Sequence, residues 1–466
     1  MPGAESATLP NLEMTIFWML VVVAVVALLT QRIRIPYTIA LVVAGLVLAV
    51  IPGTPTITLT PDLIVAVFLP VLVFEAAYNL HFPHLRENLR PITILAIPGV
   101  LLTAALTGAV VHWVGGFDWG VALLFGAIVA ATDPVSVVAL FKELGAPPRL
   151  RTILEGESLF NDGTAIVLFN LILGIILAGV FDPVASLTAF VIVVGGGLGV
   201  GLILGYIFSV LLRQVNEYLI ETVLTLVLAY GTYFVAERLH VSGIIAIVAA
   251  GVLVGNFGQR VAFSPTSKIA VGLSWELFGF LANSLIFLFV GLQIKPVDFA
   301  GAGEIVALAI GAVLVARGLV VLGVGALLRA LRRDPPLSWP WQTVLFWGGL
   351  RGAVSLALAL SIPLALDPAG HAFPHRATII LMTFGVILFS LLVQGLTMKP
   401  LLRRLGLGRP TTDLAEYEDT QAQLRAVNAA VAHLEQHAQG GQVPPEVIAT
   451  LRAEYKQRAQ TLQGRL

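Results

Sequence analysis

"AATDPVSVVALF", Ala130 to Phe141, sets a carboxylate and a proline inside a run that is otherwise apolar. From Gly120 to Leu140 only Thr132, Asp133 and Ser136 are polar. Proline within a helix removes a backbone hydrogen bond and clashes with the preceding turn. Asp followed by Pro is also the pattern of a helix cap and first helical residue. The stretch therefore predicts a helix that breaks near Ala131 to Asp133 and restarts at Pro134. Such a break frees carbonyls, Thr132's included, at mid-membrane, which is tolerated only beside a cavity. Asp133 would offset the positive end of the new half-helix.

The surrounding chain makes the membrane reading firm. Of 466 residues, 58% are hydrophobic and 12% charged, where a soluble domain carries about 25% charge. The apolar residues lie in blocks, and a helical span needs roughly 20 of them. Formal net charge is zero, so bulk charge gives no nucleic-acid reading. Cysteine is absent, which excludes disulfides and Cys-ligated metals. The run from Leu12 to Thr30 has no basic residue before it and is followed by Arg32 and Arg34, so it reads as an uncleaved span.

Polar and Pro/Gly breaks divide the chain into thirteen candidate spans, at about 12–30, 36–52, 61–80, 91–114, 119–142, 158–180, 185–212, 218–237, 241–257, 272–294, 303–330, 340–363 and 377–402. Lys and Arg in alternate connections, from Arg32 and Arg34 through Arg332 and Arg333 to Arg409, number 17 on one side; the other side holds 3, Arg238, Lys295 and Arg376. The positive-inside rule then expects the N-terminus outside and the C-terminus in the cytoplasm. "GGGLGVGLILG", Gly195 to Gly205, lacks the Lys-Ser/Thr of a phosphate loop and reads as close helix packing through small residues. Residues 411–466 turn polar and helix-prone, broken at Gln439 to Pro445, and are expected to form a cytoplasmic helical hairpin; residues 12–405 would be the membrane domain. His433 and His437 stand four apart there with no third ligand, the pattern of a surface helix.

Ionisable groups inside spans are costly, so each marks an ion path or a buried pair. Glu75, Asp133, Glu157, Asp162, Glu276, Arg317 and Arg351 qualify. For Glu276 a helix-packing pair is the better reading. "GESLFNDGTAIV", Gly156 to Val167, supplies the second wall. At about 100° per residue, Glu157, Asn161, Ser158 and Asp162 fall at roughly 0°, 40°, 100° and 140°, one face aimed at a neighbour. Carboxylate, amide and hydroxyl oxygens suit a hard monovalent cation rather than zinc. In "GGLRGAVSLALAL", Gly348 to Leu360, glycines loosen the helix around Arg351. That cation would balance the carbonyl end of a second broken helix, as Asp133 balances amides. Val135-Ser136 and Val354-Ser355 share a pattern that hints at an inverted repeat. Broken helices with a midplane carboxylate are how secondary transporters hold cations.

These stretches, with "FLPVLVFEAAYNL" (Phe68 to Leu80), "WELFGFLANSLIFLFVGLQI" (Trp275 to Ile294) and "ARGLVV" (Ala316 to Val321), resemble the cation:proton antiporter-1 family, the sodium/proton antiporters, over about residues 12–405. The resemblance implies a homodimer of thirteen-span protomers in the cell membrane. Each would have interleaved dimerisation and core subdomains, two crossed interrupted helices and an elevator motion. It implies Asp162 as the ion-binding acid, Thr132 and Asp133 as the broken-helix pair, Ser158 as a ligand, and Na⁺ at Asp162, Thr132 and Ser158. Asn161-Asp162 is the form associated with electroneutral exchange. Glu157 with Arg317 would be the family's buried pair, and Glu75 an acid shaping the cytoplasmic route.

The expectation is a transporter rather than an enzyme, exchanging Na⁺ or Li⁺ for H⁺ at Asp162, with no cofactor and no ATP motif. K⁺/H⁺ exchange, a cation channel and a membrane-anchored sensor are the alternatives. Two broken helices favour a carrier over a channel, and a tail of only 56 residues favours it over a sensor.

Overall fold

The computed structural model describes residues 9–33, 36–51, 60, 63–293, 301–331, 337–366, 371–407, 420–421, 423–431, 433–434 and 445–463. Arg34, Lys295, Arg332, Arg333, Arg409, His437 and residues 439–444 of the tail break lie outside these. Among the described residues regular structure is helical, with one isolated bridge between Ala365 and Ala372.

Among the described residues, eight helices are long and apolar enough to cross a membrane. They are α5 (Leu89–Gly115), α8 (Pro148–Ala178), α9 (Pro183–Leu212), α10 (Tyr218–Arg238), α11 (Gly243–Val261), α12 (Pro265–Gln293), α13 (Gly303–Leu331) and α16 (Arg376–Arg404). Shorter ones are α1 (Leu9–Ile33), whose apolar part is Phe17–Arg32, α2 (Tyr37–Val50), α3 (Ile64–Asn79), α4 (Phe82–Glu87) and α6 (Trp119–Ile128). The others are α7 (Val135–Leu144), α14 (Trp339–Trp347), α15 (Ala353–Leu360) and α17 (Pro445–Gln463).

Contacts divide the chain into two units, Met1–Leu140 with Pro148–Leu401, and Phe141–Pro147 with Leu402–Leu466. In the second unit, residues 423–431 and α17 are helical. In the first, helix starts carry local signals. Asp182 caps α9 by accepting from the N–H groups of Val184 (2.9 Å) and Ala185 (3.1 Å), ahead of Pro183. Ser242 caps α11 through the Ile245 N–H. Each cap satisfies an amide that the first helical turn leaves open.

Small residues then set the packing. A Cβ on Gly201 would stand 2.1 Å from the Ala246 carbonyl oxygen, and one on Gly197 would stand 2.6 Å from that of Ser242. So the glycine-rich run presses α9 against α11, as its composition suggested. On the opposite face α9 exposes Leu187, Val191, Leu198 and Ile203, the apolar exterior a lipid-facing helix needs. Gly45 and Gly291 bring α2 and α12 to the same closeness: Cβ atoms there would lie 2.2 Å from the Leu288 and Val42 oxygens.

Candidate ion-binding site

The helix begun at Trp119 stops at Ile128, runs irregularly through residues 129–134 and restarts at Val135. The Asp133 carboxylate accepts from the Val135 N–H (3.0 Å), and the Val138 N–H bonds the Pro134 carbonyl (2.8 Å). The Asp-Pro signal thus acts as cap and first turn. The second interruption runs from Gly348 to Gly352, between α14 and α15.

The breaks meet. The Asp133 N–H donates to the Leu350 carbonyl at 2.8 Å. A Cβ on Gly352 would lie 2.2 Å from Asp133 Oδ2, so only glycine fits under that carboxylate. α7 is tied in turn to α2, where the hydroxyls of Ser136 and Thr38 are 2.5 Å apart.

α8 is stitched to the first break through Thr132. The Thr132 N–H donates to Asn161 Oδ1 (3.3 Å), Asn161 Nδ2 donates to Thr132 Oγ1 (2.6 Å), and Ser158 Oγ donates to the Thr132 carbonyl (2.5 Å). All three side chains are buried. Asp162 is partly accessible and carries no hydrogen bond among the described residues, with Asp133 within electrostatic reach. The hydroxyl of Ser158, having given its proton to Thr132, presents lone pairs only, and a carbonyl has a second lone pair to offer. The set beside Asp162 is therefore rich in oxygen acceptors. Among the described residues no three His, Cys, Asp or Glu side chains gather as a metal group.

Glu157 leaves the face it was expected to share. It turns to α13, where both its oxygens meet the guanidinium of Arg317, through Nη1 and through Nη2 at 3.0 Å. The 140° between Glu157 and Asp162 lets two different neighbours pack on the one helix. Arg317 also donates to the Leu345 carbonyl from Nε (3.3 Å) and Nη2 (2.9 Å).

Arg351 takes a carbonyl at the second break as expected, but not alone. The carbonyl end of α14 is shared between two arginines: Arg317 takes Leu345, and Arg351 Nη1 takes Gly349. The Arg351 N–H donates to Ser390 Oγ at 3.0 Å, on a π-type turn of residues 390–395. Arg351 Nε and Nη2 are buried without partners among the described residues, beside a cavity of about 10 Å³, room for one water. Glu75 accepts from Asn79 Nδ2 (2.8 Å) and lies against Gly279 of α12. Glu276, expected in a packing pair, is exposed on α12. Sequence reasoning passed over Ser390, Thr38 and the Leu345 carbonyl. A lone hydroxyl in an apolar run carries no local signal, and a carbonyl carries none at all.

Residues 19–404 match the family described as sodium/hydrogen exchanger, transmembrane. The chain is 42% identical over 402 residues to the Na(+)/H(+) antiporter ApNhaP of Aphanothece halophytica, covering 86% of this chain and 75% of that one. It is 40% identical over 437 residues to the low-affinity Na(+)/H(+) antiporter NhaS1 of Synechocystis sp., covering 93% and 80%. Among solved structures, the sodium proton antiporter MjNhaP1 from Methanocaldococcus jannaschii at pH 8 superposes with a TM-score of 0.68 at 24% identity, over 85% of this chain and 100% of that chain.

Proposed function

The chain belongs to the sodium/hydrogen exchanger family, and from that premise we propose that Asp162 is the one carboxylate that Na⁺ and H⁺ occupy in turn. The protein is a multi-pass membrane Na⁺/H⁺ antiporter. One observation carries the residue-level reading: Ser158 and Asn161 are committed to Thr132, whereas Asp162, next in sequence, has no hydrogen bond among the described residues. An acid with no fixed donor can exchange a proton for a cation without breaking the fold. The second lone pair of the Thr132 carbonyl and the Ser158 hydroxyl supply further hard oxygen donors for Na⁺ or Li⁺.

Asn161 acts as a strut rather than a ligand, holding Thr132 in place. Asp133 orients the break as cap and spacer, and Glu157, Arg317 and Arg351 tie the second break to α8 and α13. Glu75 belongs to the cytoplasmic route. The wider reading is of thirteen spans with inverted repeats, N-terminus outside and C-terminus cytoplasmic. Residues 12–405 form the transport domain, with interleaved dimerisation and core subdomains in a homodimer, and 411–466 form a cytoplasmic hairpin. Gradients alone drive the exchange, with no bound cofactor.

Everted vesicles acidified by respiration test the exchange. They should lose their ΔpH on adding NaCl and keep it on adding choline chloride. Relief by KCl with none by NaCl would make the cargo K⁺. Reconstituted Asp162→Asn should fold and show no Na⁺-dependent proton flux, since an amide cannot cycle between proton and cation. Normal flux in that variant would remove Asp162 as the carrier.

A further inference from the structure

A cavity of about 310 Å³ opens where α3 ends and the chain turns from α11 into α12, on the side that carries the excess of Lys and Arg. Its floor is built. Asn256, on a π-type turn of α11, donates from Nδ2 to the carbonyls of Leu80 and Val252 (both 2.9 Å) and accepts from the Phe82 N–H (2.8 Å). A Cβ on Gly255 would stand 2.1 Å from the Tyr78 carbonyl oxygen, so α3 and α11 are locked at this corner.

The lining is rich in donors. Arg260 and Lys268 both face the cavity and form no ion pair among the described residues, and the amides of Asn79 and Gln259 join them. Tyr78 is 2% exposed, its hydroxyl buried without a hydrogen-bond partner by distance and angle, with the Gln259 side chain facing it. The acids nearby do not line it: Glu75 is engaged by Asn79, and Glu221 is buried near Tyr78. Two cations and two amides around one hollow suit a phosphoryl group.

What lies beside the cavity selects the source of that group. Directly beyond Lys268, α12 presents Ile269 (66% exposed), Leu273 (60%) and Leu277 (54%) one turn apart, a stripe that begins at the level of the basic rim and is apolar except for the exposed Glu276. A free anion has no use for that stripe, whereas an acyl chain does. We propose that this cavity seats the headgroup of an anionic phospholipid of the cytoplasmic leaflet, its phosphate on Arg260 and Lys268 and one chain along the α12 stripe. Basic pockets between membrane helices on that side hold such headgroups. The proposal rests on the orientation argued above, but its readout is binding, not transport, so loss of one leaves the other standing.

The test uses the full-length protein in detergent, following thermal unfolding while titrating phosphatidylglycerol, phosphatidylcholine or inorganic phosphate. Phosphatidylglycerol should raise the unfolding temperature saturably, and phosphatidylcholine should not. Lys268→Gln and Arg260→Gln should each raise the half-saturating concentration about fivefold. Arg213→Gln, an exposed cation on the same side but outside the cavity, should leave it unchanged. Equal responses to the two lipids, or equal losses in Arg213→Gln and Lys268→Gln, would overturn the proposal. So would inorganic phosphate matching phosphatidylglycerol, which would make this a free-anion site.

Discussion

At the first break, a helix restarts under an aspartate that caps its amides; at the second, a helix stops under two arginines that take its last carbonyls. One break is shaped by proline and the other by glycines. The chemistry is opposite because the exposed ends are: amides attract anions and carbonyls attract cations. Their neighbours differ too. Ser136, after the acid break, is bonded to Thr38 of α2, while Ser355, in the matching place after the arginine break, is buried with no partner among the described residues. The first break is thus anchored sideways by hydroxyls and the second by guanidinium groups. The open carboxylate, Asp162, lies beside the first. On the reading proposed above, the two breaks divide into a working side and a holding side.

The holding side offers the largest effect. Glu157→Gln leaves Arg317 buried without its carboxylate partner, and loss of one partner costs about 3–5 kcal/mol. The unfolding temperature should fall sharply, and adding Arg317→Gln should restore part of it. Strictly additive losses in that double-mutant cycle would mean the pair does not act as a unit.

Where the breaks cross, Gly352→Ala drives a methyl group into the Asp133 carboxylate, and overpacking of this kind costs about 1–3 kcal/mol. Transport should suffer more than stability, because the displaced group caps the working side. A variant that unfolds early yet exchanges ions normally would show that the crossing serves the fold alone.

On the working side, the proposed sharing of one carboxylate by two ions would impose competition. With the proton competing for Asp162 at acid pH, the apparent KM for Na⁺ should rise about tenfold per pH unit of acidification, each tenfold step being about 1.4 kcal/mol. Towards alkaline pH it should level off while the rate falls, because the proton-loaded return is starved. With equal pH on both sides of a proteoliposome, the acid limb should move to lower pH as Na⁺ rises. A limb that stays fixed at saturating Na⁺ would indicate a separate proton sensor.

The smallest effect separates the two serines. Ser136→Ala orphans the buried Thr38 hydroxyl and should cost about 1–3 kcal/mol. Ser355→Ala removes a hydroxyl that bonds nothing among the described residues, so it should be neutral or slightly stabilising by calorimetry. Equal costs would erase the asymmetry between the breaks.

How far the sequence reached follows the same division. The acid break was legible because Asp133-Pro134 is local chemistry: cap and ring act within one turn, whatever packs around them. The glycine run of α9 was legible for the same reason, since small side chains set how near any neighbour can come. The arginine break was legible in place but not in partners. Arg317 reaches Leu345 across 28 residues and Arg351 meets Ser390 across 39, and tertiary packing alone selects those contacts. Glu276 misled for that reason as well: an acid in an apolar run shows its cost but not where it points.

The five ionisable side chains gathered about the crossing have a further consequence. Glu157 pairs with Arg317, Asp162 lies near Asp133, and the second break brings Asp133 and Arg351 to its two ends, so with all five charged the cluster carries one negative charge. On the proposed assignment of Asp162, one bound sodium ion or one bound proton would bring it to neutrality. A membrane voltage does about 2.3 kcal/mol of work per charge per 100 mV, so it exerts no net force on either loaded form of this cluster. Such a carrier would produce no steady current under voltage clamp, and a cell could run it at any resting potential on concentration ratios alone.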